Sequence, residues 1–254
     1  MTAQVDASTA SAGELFSANR LRVPDFQREY SWKVKEQVAE FWTDLLGALD
    51  SGDYFLGLVI LTKTDDGVKE VVDGQQRIIT LAMLANSVRL VSRREGRTIL
   101  ADDVLATFLM SVDYESDERE VMLPRLNLTA ETDREDLSAA ISVDAPGALP
   151  SRSGSLVLEA HAYLLEQLVS DVASAGSAAR RLGQWVQFLK QRVTFAVFTH
   201  PDRNAAFKVY EVINTRGKRL TPAELIKSHL IGNSDPANHE PVYDKQRLLA
   251  YEAP

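Results

Sequence analysis

The sequence predicts an α+β fold, mostly α, and three observations carry that reading. Residues 35–50 place Val38, Phe41, Trp42, Leu45, Leu46 and Leu49 at the i, i+3, i+4, i+7 spacing of an amphipathic helix. YFLGLVILT at 54–62 and VKEVVD at 68–73 are β-rich runs joined by the turn residues Asp65, Asp66 and Gly67, so they read as a hairpin. VTFAVFTH at 193–200 reads as a late strand that returns to the same small sheet.

The other elements follow in chain order. Ser11 and Glu14 have the spacing of a capping box ahead of a short helix, which gives way to LRVPDFQR, an extended stretch broken at Pro24. Residues 75–92 carry Ile78, Leu81, Leu84, Ala85, Val88 and Val91 with apolar residues on nearly every side, as a buried helix does. Further helices are expected near 99–111, 131–141, 156–175 and 178–191, then a pair at 203–214 and 222–232. Thr221, Pro222 and Glu224 supply an N-cap, an N1 proline and an N3 acid for the last of these. SVDAPGALPSRSGS at 142–155 collects Ser, Gly and Pro and reads as a flexible connection. The expected organisation is a core over 1–112 and a helical part over 113–254, the latter returning strand 193–200 to the core sheet.

Composition narrows the function classes. A chain of 254 residues, 45% hydrophobic and 25% charged, lies in the globular range. The absence of cysteine excludes a disulfide framework and thiolate metal sites. The start MTAQVDASTASAGELF lacks the regions of a secretory signal, and no apolar run reaches the roughly 18 residues of a membrane span, so the reading is a soluble cytoplasmic protein. A net charge of −8 opposes indiscriminate binding to phosphate backbones, so any DNA contact has to be focused. DYESDERE at 113–120 and ETDRED at 131–136 are acidic, whereas SRREGR at 92–97 and RGKR at 216–219 are basic. The sequence is compatible with a homo-oligomer and fixes no oligomeric state.

The stretch VVDGQQRIITL at 71–81 sits where a strand becomes a helix. With Asp73 as N-cap, Gln76 falls at N3 and closes a capping box, and Arg77 lies four residues on, within reach of an ion pair. The same geometry offers unpaired N–H groups and a partial positive charge to a phosphate, with Arg77 adding bidentate contacts, Asp73 holding Mg²⁺ and Gly74 allowing close approach. These residues alone do not separate the two readings. Upstream, DFQREYSW at 25–32 sets Gln27, Arg28 and Glu29 among Phe26, Tyr30 and Trp32. That mixture suits phosphate binding at Arg28 and base stacking at Tyr30 and Trp32, or an aromatic anchor onto the next helix. Downstream, INTRGKRL at 213–220 groups Arg216, Lys218 and Arg219 around Gly217, with Lys227 beyond; taken by itself this stretch reads as helix C-capping with solvated cations.

VPDFQREYSW, YFLG, VVDGQQRIITL and FKVYEVINTRGKRLTPAELIKSHL, in that order, resemble the DGQQR family, the S-type module of GmrSD-like restriction enzymes. The resemblance covers most of the chain. It implies a small mixed sheet with helices like that of the ParB and sulfiredoxin core, extended by a helical part. It also implies nucleotide hydrolysis and restriction of modified phage DNA, and within the family the chain is similar to members that sense phosphorothioate DNA. Carried over by motif, Asp73, Gly74, Gln75, Gln76 and Arg77 are expected to bind and hydrolyse an NTP, GTP by preference, with Mg²⁺ at Asp73. Gln27, Arg28, Tyr30 and Trp32 match an upstream element packed beside them, and Asn214, Gly217, Leu220 and Lys227 a downstream one. Arg28, Gln27, Gly74, Asn214 and Lys227 are therefore candidate nucleotide contacts. Tyr30, Trp32, Arg216, Lys218 and Arg219 are candidate DNA contacts. Glu224 stands where an aspartate is common, which puts a metal-linked role there in doubt.

Other chemistries are missing. There is no G-x-x-x-x-G-K-[ST], so a conventional P-loop is excluded. His161, His200, His229 and His239 match no zinc spacing and no HNH pattern. Larger relatives carry an HNH nuclease domain after this region, so the chain, ending in YDKQRLLAYEAP, reads as a shortened or stand-alone sensor with a nuclease as partner. Two rivals keep the same residues: a non-catalytic reader of modified DNA, and a scaffold that recruits a nuclease.

Overall fold

A computed structural model describes residues 6–24, 27–113, 121–206, 208 and 209, all within one compact unit that spans Met1–Gly217. Its centre is a six-stranded sheet in the order β1-β8-β3-β4-β2-β7. β1 (Asp6–Ser11) leads directly into α1 (Ala12–Ser17), and the expected capping box forms. Ser11 N–H donates to Glu14 Oε2 at 2.7 Å and Glu14 N–H to Ser11 Oγ at 3.2 Å. β2 (Leu21–Val23) follows. A turn at Val34–Val38, kinked at Glu36, then feeds α2 (Ala39–Ser51), which buries Phe41, Trp42, Leu45 and Leu49 on the predicted stripe.

β3 (Tyr54–Lys63) and β4 (Lys69–Asp73) form the antiparallel hairpin, and α3 (Gln75–Arg94) leaves β4 through Gly74. α3 is buried on almost every side and packs on α4 (Thr98–Val104), α6 (Leu156–Ser174) and α7 (Ala178–Gln187). The helix expected at 99–111 is shorter. It passes through a π turn at Leu105–Leu109 into β5 (Met110–Val112), which pairs with β6 (Met122–Pro124) as a separate two-stranded sheet. β7 (Leu126–Leu128) joins the main sheet beside β2, and α5 (Glu131–Ser142) follows it.

The connection after α5 corrects the expectation of a flexible linker. Arg89, 2% exposed, donates to Ile141 O, Val143 O and Asp144 Oδ1, and a 3₁₀ turn forms at Pro146–Ala148. A buried guanidinium has to be paired, and here the connection supplies the acceptors. Past α7 another π turn, Phe188–Arg192, enters β8 (Val193–His200). β8 lies between β1, antiparallel, and β3, parallel, so it is interior to the sheet. The helical part also reaches α2, where the rings of Trp42 on α2 and Trp185 on α7 stack with centroids 5.1 Å apart.

Candidate functional site

The site forms where β4 ends. Gly74 turns the chain from strand to helix in one residue, at φ 93° and ψ 3°, and is itself the N-cap. A Cβ there would lie 2.9 Å from Val59 Cγ2 and 3.2 Å from Leu58 O. Only glycine fits that left-handed corner against β3. The capping box expected from Asp73 and Gln76 therefore does not form, because the cap falls one residue later and no side chain caps α3. The first helical hydrogen bond runs from Ile78 N–H to Gly74 O. The N–H groups ahead of it have no partner inside the helix, as at any helix start.

The two glutamines hold the upstream element. Gln76, 6% exposed, donates from Nε2 to Glu29 O at 3.3 Å and accepts Ser31 N–H at Oε1, 2.9 Å away. Gln75, 7% exposed, donates from Nε2 to Arg28 O at 3.2 Å, while its buried Oε1 has no hydrogen-bond partner. Gln27 Nε2 completes the seam by donating to Val72 O at 2.8 Å. The motif and the 27–31 segment are thus joined side chain to backbone. Arg28 is exposed, and its own carbonyl is pinned to the motif.

Tyr30, expected as a stacking platform for a base, is instead 4% exposed and part of the core. Thr80 Oγ1 donates to Gln76 O at 2.7 Å, so the Tyr30 hydroxyl, 2.8 Å from Thr80 Oγ1, is the donor of that pair. Burial pushes the Tyr30 hydroxyl pKa well up, and the Asp133 charge adds to the rise. Its backbone N–H donates to Asp133 Oδ2 at 2.7 Å, and burial raises the pKa of Asp133, with Glu29 and Asp136 adding to the rise. Trp32 is half-buried and meets Phe41 edge to face at 5.9 Å, which is the anchoring role.

Arg77 points at β3. Nη1 donates to Leu56 O at 3.0 Å and Nη2 to Leu58 O at 2.8 Å, and Asp73 Oδ2 lies 3.7 Å from Nη2. Burial lowers the pKa of Arg77 and Asp73 opposes that. With an intrinsic value above about 12 the guanidinium stays charged. Asp73 is partly exposed at 33% and is a single carboxylate; among the described residues no group of three or more His, Cys, Asp and Glu could hold a metal ion. One carboxylate suits Mg²⁺ only when the ion's other ligands are water and substrate phosphate oxygens. Asn214, Arg216, Gly217, Lys218, Arg219, Leu220, Glu224 and Lys227, and the helix expected at 222–232, lie outside the described residues.

Sequence reasoning missed Gly57, Thr80 and Asp133, although the first belongs to the quoted YFLG and the second to the stretch that follows DGQQR. The α+β unit joins the upstream element to DGQQR at one strand-to-helix corner, and its match to a restriction-endonuclease family makes it a restriction-system module. The model of the GmrSD restriction endonuclease N-terminal domain matches residues 12–231, and the chain belongs to that family. A comparison with curated proteins found no match. Among the described residues no helix is long and apolar enough to cross a membrane.

Proposed function

We propose that this restriction-system module hydrolyses a nucleoside triphosphate, GTP by preference, and that modified DNA, phosphorothioate DNA first among the candidates, biases turnover. The observation that supports it is the α3 start: a 20-residue helix whose N-terminus has no side-chain cap, with exposed Arg28 pinned beside it. Such an end favours a phosphate through its N–H groups and its dipole. Asp73 would share Mg²⁺ with the phosphates, and charge would be offset in the loose transition state of phosphoryl transfer. Of the two glutamines, Gln76 has committed both ends of its amide, so Gln75, whose buried Oε1 has no partner to give up, is the one that would turn outward to orient the attacking water. DNA would act through Arg216, Lys218 and Arg219, and a nuclease domain would carry out cleavage.

The test is hydrolysis of GTP and ATP with Mg²⁺ by the purified chain, alone and with unmodified or phosphorothioate DNA. Hydrolysis raised by the modified DNA is the expected result, and Arg28→Ala should lower kcat/KM by about 100-fold, the usual loss for one preorganised charge contact. No turnover under any condition, with selective binding of modified DNA intact, would replace this reading by that of a non-catalytic reader.

A further inference from the structure

β3 contains a break in register that the sheet itself leaves unrepaired. Opposite β8, Phe55 pairs with Thr194 and Gly57 with Phe195, so Leu56 is the extra residue of a bulge. On the other side β4 pairs with β3 only from Ile60 to Lys63, so residues 54–59 extend past the end of β4. The carbonyls of Leu56 and Leu58 on that stretch are the two that Arg77 takes, one with each terminal nitrogen. The planar fork of arginine serves here as a substitute strand. Gly57, between the two carbonyls, has φ 116°, and a Cβ on it would lie 1.9 Å from Arg77 Nη1. The glycine is needed twice, for its backbone and for the space above it.

We propose that Gly57 and Arg77 form a clip that fixes the start of α3 against the β3 bulge. Arg77 is then a positioning residue, and phosphate charge falls to Arg28 and the helix N–H groups. Drawing the Arg77 guanidinium onto a phosphate would strip two carbonyls of their donors inside a half-buried corner, a cost that an exposed Arg28 does not carry.

Two kinds of measurement test the clip. Thermal melts of the whole chain need no nucleotide. Gly57→Ala and Arg77→Ala should each lower Tm by roughly 5–10 °C, and the double variant should fall by clearly less than the sum of the two, because the clash with the guanidinium vanishes with it while the backbone strain at a φ of 116° remains. Gly67→Ala is the control: Gly67 has φ 74° with nothing within 4 Å of a Cβ, so its loss should simply add to that of Arg77→Ala. Arg77→Lys should not restore Tm, since an ammonium lacks the fork. Additive losses for Gly57→Ala and Arg77→Ala would overturn the clip. The second measurement rests on the nucleotide reading above. Gly57→Ala, Arg77→Ala and their double variant should lower kcat by the same factor, whereas Arg28→Ala raises KM. An Arg77→Ala chain that melts normally and no longer binds a fluorescent GTP analogue would also overturn the clip. A wild-type chain that hydrolyses nothing would sink the nucleotide reading instead, with the melts still deciding the clip.

Discussion

Gln75 and Gln76 are adjacent and chemically identical, yet one has both ends of its amide committed and the other has a spare acceptor. Removing Gln76 would leave Ser31 N–H and Glu29 O without partners, so Gln76→Ala should cost about 2–3 kcal/mol, or roughly 4–12 °C in Tm. Gln75→Ala removes one weak bond and should cost about 1 kcal/mol or less while acting on turnover. His161 shows another residue-scale effect. It is completely buried, its pKa pushed down to about 3 by desolvation and by the Arg89 charge. The folded chain therefore holds it neutral where the unfolded chain protonates it. Below about pH 6.5 the unfolded state binds the extra proton, so stability declines as pH falls from there towards 3, by up to about 1.4 kcal/mol per unit. Urea titrations across that window should show the decline, and His161→Gln should flatten it. Sequence could identify the residue types at this scale but not their partners. An arginine after DGQQ reads as a phosphate ligand, and nothing in the sequence announces the two carbonyls it bonds; Tyr30 reads as a platform, yet it is buried with its hydroxyl on Thr80.

At the scale of elements, local signals were enough where they were strong. The Ser11 to Glu14 spacing, the stripe on α2, the hairpin around Gly67 and the apolar faces of α3 all stand in the structure as the sequence indicates. Ser11→Ala should cost about 1 kcal/mol by removing the Oγ acceptor of the capping box, measurable as a shift of roughly 2–4 °C in Tm. Elements without such signals were not legible. β1 reads DASTAS, small and polar with no alternation, and it is a strand because β8 lies alongside it. β5, β6 and β7 have three residues each, too few for a period to show, and β7 depends on β2 for its pairing. The corner at Gly74 was legible as a strand-to-helix change; its cap was not, because whether Asp73 or Gly74 ends the strand depends on how closely β3 approaches.

The whole described unit depends on a pairing between distant parts of the chain. Thr194 Oγ1 bonds Tyr54 O across 140 residues, and β8 supplies neighbours to both β1 and β3. A chain cut after residue 192 keeps DGQQR and the described helices α1 to α7 but loses the strand that joins β1 to the rest of the sheet. It should show no cooperative unfolding transition by circular dichroism. The six-stranded order was only partly legible, because sequence could assign residues 193–200 to the sheet but not place them in its interior.

That late arrival has a consequence during synthesis. A ribosome adding about 5–20 residues each second needs on the order of ten seconds to pass from β3 to β8. Through that interval the nascent VILT segment of β3 has one edge open, and its hydrophobic side chains are a target for chaperones or for a second emerging copy. The cell must keep this chain from aggregating before its own last strand is available to close the gap.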